Sequence, residues 1–170
     1  MRLDLGPLDR LPAERVFAVE GDLEQMTVGG EAVEFTAPVT ARGRVERVRG
    51  GALVTGEVDA PVRLRCGRCL DLFDTTLTAP LEIVLRGPSA DPDEDSVPYQ
   101  EQLDLTGPVE EAIVLELPVR ALCRPDCQGL CPRCGARRED GCACEPEADP
   151  RLEALFEWAR SRSPESGEDR

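Results

Sequence analysis

Eight cysteines in a chain without a single histidine constrain this sequence more than any other feature. They fall as Cys66-Gly67-Arg68-Cys69, Cys123-x3-Cys127, Cys131-Pro132-Arg133-Cys134-Gly135 and Cys142-Ala143-Cys144. A C-x2-C turn brings two sulfurs to tetrahedral spacing and aims its own amides at the thiolates. A C-x-C pair in extended chain does similar work, because residues i and i+2 face the same way. The N-terminus, Met1-Arg2-Leu3-Asp4-Leu5, is acidic within four residues and lacks the apolar run of a signal peptide. A cytoplasmic, reducing location is therefore expected, where disulfides are rare and such spacing reads as metal binding. With no imidazole available, any zinc must be held by sulfur, with or without a carboxylate, so the sequence predicts two structural zinc ions in closed four-thiolate sites, an iron–sulfur cluster being the minor alternative. Such sites leave no coordination position open for water or substrate.

Spacing does not decide which cysteines share an ion. One division gives Cys131, Cys134, Cys142 and Cys144 a compact site and joins Cys66 and Cys69 to Cys123 and Cys127 across more than fifty residues. The other puts the two C-x2-C knuckles together, as many zinc ribbons do, and leaves Cys123, Cys127, Cys142 and Cys144 for the second ion.

Up to about residue 86 the chain alternates polar and apolar residues between turn signals. Arg44-Val45-Glu46-Arg47-Val48, Glu57-Val58-Asp59, Val62-Arg63-Leu64-Arg65 and Leu81-Glu82-Ile83-Val84-Leu85 read as strands. Gly29-Gly30, Gly50-Gly51 and Gly87-Pro88 punctuate them. The expected fold class is α+β: an antiparallel β meander or barrel-like sheet of about six to eight strands, with two short helices and a C-terminal zinc-knuckle module. Aromatics make up only 4% of the chain, so Val, Leu and Ala must fill the core. The expected divisions are a β region at 1–106, a helix at 107–118, the cysteine-rich module at 119–145, a helix at 146–162 and a disordered tail at 163–170. Within the first of these, residues 88–103 read as an acidic, proline-rich solvated connector. Pro108 near the start and Pro118 at the end bracket the first helix. Asp149 as cap, Pro150, and Leu152, Leu155, Phe156 and Ala159 on one face mark the second, expected to dock on the core.

The formal charge of −14 argues against nonspecific nucleic-acid binding by the whole surface, yet the charge is uneven. Residues 42–69 carry seven arginines against Glu46, Glu57 and Asp59, a balance of +4. Residues 120–138 carry five against Asp126, again +4. Cations beside thiolates stabilise them, which accounts for arginine here locally. A phosphate-binding face with Arg68 and Arg133 at its centre is the functional account, and Arg137 and Arg138 extend it. No phosphate loop, no Ser/His pair and no paired-carboxylate pattern is present, so neither an enzyme nor a small-molecule substrate is expected. No stretch is long and apolar enough to make a membrane partner.

Several of these motifs occur in a specific order. Arg65-Cys66-Gly67-Arg68-Cys69-Leu70 follows a strand, and Leu103-Asp104-Leu105 precedes a Glu-rich helix ending at Leu117-Pro118. Then come Leu122-Cys123-x3-Cys127-Gln128-Gly129-Leu130-Cys131-Pro132-Arg133-Cys134-Gly135, Cys142-Ala143-Cys144 and Asp149-Pro150-Arg151. Across roughly residues 60–156 this string resembles the bacterial YceD family, the large ribosomal RNA subunit accumulation proteins. The resemblance implies a non-enzymatic role in 23S ribosomal RNA accumulation and large-subunit biogenesis, with the precursor RNA, ribosomal proteins or both as partners. It also maps all eight cysteines onto the family's cysteine positions. The link Ala136-Arg137-Arg138-Glu139-Asp140 departs from the family by being more charged.

Two other functions compete with that one. An acidic adaptor could bind ribosomal proteins or a ribonuclease without touching RNA. A redox or zinc sensor would lose its C-terminal module when its thiols oxidise.

Overall fold

The computed structural model describes residues 1–90, 96–144 and 150–162, with the side chains of 150, 161 and 162 left aside. The chain divides into two compact units, Met1–Cys127 and Gln128–Arg170.

The first unit is built on two long hairpins. Strands β1 (Arg2–Asp4), β2 (Glu14–Gly21), β3 (Met26–Val28), β4 (Glu31–Phe35), β5 (Val39–Val48), β6 (Gly51–Arg65), β7 (Leu72–Arg86), β8 (Ser96–Pro98) and β9 (Gln102–Asp104) are followed by helix α1 (Thr106–Glu116). β6 and β7 pair antiparallel over their full lengths, from Gly51 opposite Arg86 to Arg65 opposite Leu72. The other edge of β6 takes β5 along Gly51–Asp59 and then β4 at Val62 and Arg63. β2 lies outside β5, and β3 outside β4. The strands Glu57–Asp59 and Val62–Arg65, read separately from sequence, are thus one strand running through Pro61. Proline is tolerated there because it falls where β5 has ended and β4 has not begun, and only its carbonyl is used, by the Thr36 amide at 2.9 Å.

Side chains alternate cleanly. Val54, Val58, Ala60, Val62 and Leu64 of β6 are buried with Ala79, Leu81, Ile83 and Leu85 of β7. Val109 and Ile113 of α1 are buried in the same cluster, as are Leu3, Leu5, Leu103 and Leu105. Asp104 holds the helix start by accepting from the Thr106 amide and hydroxyl at 2.9 and 2.7 Å. These bonds keep its carboxyl below the usual carboxylate range.

Two expectations need correction. The sheet does not close into a barrel: among the described residues β2 pairs only with β5, and β8 only with β7, in parallel, through Val84–Arg86. The segment 88–103 is also more than a connector. It contributes β8 and β9, the latter paired with β1 through Leu3 and Leu103. The Tyr99 hydroxyl donates to the Gly6 carbonyl at 2.8 Å. Residues 91–95, the acidic part of that segment, lie outside the described residues.

The second unit contains little regular structure. Leu130 bridges Arg137 across the second knuckle, a 3-10 turn spans Arg138–Asp140, and Gly141 closes it with φ 86°. A second 3-10 turn, Pro150–Leu152, leads into helix α2 (Glu153–Arg162). The expected burial of this helix's apolar face is not found: Leu152, Leu155 and Phe156 are 44%, 56% and 48% exposed. The Asp149 cap and the expected tail at 163–170 lie outside the described residues. Cys131 is the only buried apolar side chain among the described residues of this unit.

Candidate metal centre

The first centre grows out of the longest hairpin. The six residues Cys66–Asp71 turn β6 into β7 as a knuckle. The Leu70 amide donates back to the Cys66 carbonyl at 3.0 Å, and the Cys66 amide to the Asp71 carbonyl at 2.8 Å. The second knuckle repeats the pattern. The Gly135 amide donates to the Cys131 carbonyl at 2.8 Å and the Cys131 amide to the Ala136 carbonyl at 2.7 Å. Both need a left-handed residue after the second cysteine. Gly135 supplies it with φ 71°, whereas the first knuckle places Leu70 there with φ 65°. A side chain in that region costs about 1–2 kcal/mol, which glycine avoids.

Four sulfurs gather at each knuckle. Cys66, Cys69, Cys123 and Cys127 form one group and Cys131, Cys134, Cys142 and Cys144 the other, all sulfurs of a group lying within 4.8 Å of one another. The arrangement that joins the two C-x2-C knuckles is therefore not the one the chain adopts. Cys66 and Cys127 sulfurs are 3.8 Å apart, Cys69 and Cys123 3.7 Å, and Cys134 and Cys142 3.5 Å. A disulfide requires about 2.05 Å. A tetrahedron with zinc–sulfur bonds of about 2.3 Å has edges of roughly 3.8 Å, so the donor set and its spacing fit zinc.

The electrostatics point the same way. Burial acts to raise the Cys66 thiol, but the amides of Cys69, Cys123 and Arg68 outweigh it and bring it down to about 6. The amides of Cys134 and Arg133 lead in bringing Cys131 down to about 6. Cys69 is pushed up to about 12: the Asp71 amide favours its thiolate, but burial and the sulfurs of Cys66 and Cys123 overcome that. Cys144 is pushed up to about 12 by the sulfurs of Cys142, Cys134 and Cys131. Each cluster thus prepares one thiolate and resists the next, which is the situation a bound cation resolves.

Arginines finish the first centre. Arg68 donates to the Cys127 carbonyl at 2.7 Å and the Pro125 carbonyl at 3.4 Å, tying the knuckle to the Cys123–Cys127 loop. Arg65 donates to the Leu70 carbonyl at 3.0 Å, and Arg120 to the Gly67 carbonyl at 3.2 Å. Sequence reasoning gave Arg65 and Arg120 no such role; their nearness to the cysteines was the available signal. Three strand arginines also have partners: Arg42 pairs with Asp59 at 2.8 Å, Arg44 with Glu46 at 3.6 Å and Arg63 with Asp74 at 2.7 Å. The arginine excess of residues 42–69 is thus largely engaged within the fold. Arg133, Arg137 and Arg138 are all exposed around the second knuckle.

The family model described as large ribosomal RNA subunit accumulation protein YceD matches residues 54–157, a span that contains every cysteine. The chain belongs to the YceD family. An uncharacterized protein of Mycobacterium tuberculosis is 39% identical over 167 residues, which cover 92% of this chain and 80% of that one. A Mycobacterium leprae protein is 33% identical over 141 residues, covering 78% of this chain and 64% of its own. A maize protein named as large ribosomal RNA subunit accumulation protein YCED homolog 1, chloroplastic, is 24% identical over 180 residues, covering 85% and 61% respectively. No solved structure gives a significant match. No helix among the described residues of this YceD-family chain is long and apolar enough to cross a membrane.

Proposed function

We propose that this protein is a non-enzymatic factor for 23S ribosomal RNA accumulation and large-subunit biogenesis, with one structural zinc ion in each cysteine cluster. Membership of the YceD family carries the ribosomal part of this reading. The two four-sulfur groups at tetrahedral separations support the metal. RNA contact falls to the exposed arginines of the two knuckles and the link after the second, Arg68, Arg133, Arg137 and Arg138. The test combines metal content by mass spectrometry with a gel-shift titration of 23S fragments over a range of salt. About two zinc per chain, and salt-dependent binding lost in Arg133→Glu/Arg137→Glu/Arg138→Glu, is the expected result. Depletion that leaves 23S RNA levels unchanged overturns it.

A second reading is favoured by the strand arginines held in ion pairs, Arg42 with Asp59 and Arg63 with Asp74, and by the charge of −14. An acidic adaptor would bind basic ribosomal proteins or a ribonuclease and leave RNA alone. Two zinc per chain without RNA binding at any salt selects it.

A further inference from the structure

The two clusters hold the same donors in different surroundings. In the first, Cys66, Cys69 and Cys127 are 0%, 6% and 1% exposed, Cys123 is half-buried, and the Arg68 side chain ties the two loops together. In the second, Cys134 and Cys144 are exposed, Cys142 is half-buried, and only Cys131 is covered. Zinc lowers the nucleophilicity of a thiolate but does not remove it, so access decides which sulfur meets an oxidant first. The sulfurs of Cys134 and Cys142 lie 3.5 Å apart, an exposed one beside a half-buried one.

We propose that Cys134 and Cys142 form an oxidation site for small two-electron oxidants of the peroxide class, and that its reaction empties the second cluster while the first keeps its metal. This rests on the reading of both clusters as zinc sites. The exposed Cys134 sulfur attacks a peroxide oxygen, the O–O bond breaks, and Cys134 becomes a sulfenic acid as hydroxide leaves and is protonated to water. The Cys142 thiolate then attacks the Cys134 sulfur and expels the second oxygen, which takes up a proton and leaves as water. One S–S bond is formed, two cysteine sulfurs have lost two electrons in all, and one peroxide has become two waters. Two ligands, Cys131 and Cys144, are then left for the ion, too few for a closed site. The second unit, with Cys131 as its only buried apolar side chain among the described residues, loses what orders it. Reduction of the disulfide and re-addition of zinc reverse the change.

The experiment treats full-length protein with one equivalent of hydrogen peroxide, after zinc per chain has been measured. Released zinc is followed with a chromogenic chelator, and cysteines are mapped by alkylation and tryptic mass spectrometry. Arg133 separates Cys131 from Cys134, and Arg137 and Arg138 separate Cys134 from Cys142, so a Cys134–Cys142 disulfide joins two distinct peptides. The expected result is loss of one zinc of two, a Cys134–Cys142 link, and cysteines 66, 69, 123 and 127 oxidised at least about tenfold more slowly. Equal loss from both clusters, earlier oxidation of the first, or release of zinc without that link overturns the proposal. Absence of zinc at the outset overturns the metal reading instead, and the same peptide map on the metal-free chain then tests the disulfide separately. Cys142→Ser, in which Cys134 should stop at sulfenic or sulfinic acid, separates the resolving step from the first attack.

Discussion

The two cysteine clusters use nearly the same knuckle for opposite structural purposes. The first caps a sheet that already has a core of Val54, Val58, Val62, Leu81, Ile83 and Leu85; its sulfurs fasten a finished hairpin to the chain around Cys123 and Cys127. The second sits in a unit with almost no apolar interior, so its sulfurs take the place of a core. Metal contributes about 10–16 kcal/mol in small structural zinc sites, enough to fold a module that burial could not. The difference teaches that equal ligand sets need not be equally important to the stability of the parts that carry them.

The largest expected effect is therefore from removing metal. A chelator at neutral pH should turn residues 128–162 into protease-sensitive chain cut at Arg133, Arg137 and Arg138, while the β sheet stays resistant. Survival of the second unit through limited proteolysis would break the comparison. Next comes loss of one buried ligand. Cys66→Ser should reduce bound zinc by one and cost the first unit ~3 kcal/mol or more, as uncompensated buried partners do. Its sheet should still unfold cooperatively in a denaturant titration.

A smaller effect separates the two knuckles themselves. Gly135→Leu should cost about 1–2 kcal/mol, because it introduces the left-handed side chain that the first knuckle already carries. The reciprocal Leu70→Gly should leave stability unchanged or improved by up to about 1 kcal/mol, read from denaturant midpoints. If Leu70→Gly weakens the protein instead, the half-exposed leucine has a packing role not visible in its surroundings.

The smallest effect lies in the Arg63–Asp74 pair beside the first knuckle. Arg63 donates from Nε and Nη2 to the two carboxylate oxygens at 2.7 and 3.0 Å, and holds Asp74 below the usual carboxylate range. A depressed carboxyl adds stability above its unfolded value of about 3.9, and loses it as pH falls through the lower folded value. The difference in melting temperature between the native chain and Asp74→Asn should therefore be present at neutral pH and vanish in acid. Both partners are exposed, so the difference will be slight.

Much of the molecule could be read from the sequence, for identifiable reasons. Alternation made the end of β7, residues 81–85, and two stretches of β6, residues 57–59 and 62–65, visible, and the spacing of the cysteines announced four-sulfur groups. Pro61 hid the continuity of β6, since nothing local says that a neighbouring strand stops two residues earlier. β8 and β9 were missed because three-residue strands carry no period; they exist through partners such as Leu3 opposite Leu103. The division of cysteines between the groups depended on where a hairpin of two fifteen-residue strands points its turn, which no spacing encodes. The carbonyl contacts of Arg65, Arg68 and Arg120 were invisible for the same reason: their acceptors are backbone atoms of residues close only in space.

The distance between partners along the chain also orders events in time. Cys69 and Cys123 are 54 residues apart and Cys66 and Cys127 are 61, whereas Cys134 and Cys142 are separated by 8. Closing the longer loops costs roughly 1.5–2 kcal/mol more in chain entropy, unless the sheet has already drawn their ends together. The first cluster must then wait for β6 and β7 to zip, while the four sulfurs of the second can come together on an otherwise unstructured chain. On the zinc reading proposed above, a newborn molecule acquires its metals by two clocks, one set by sheet assembly and one by how fast a short peptide meets an ion.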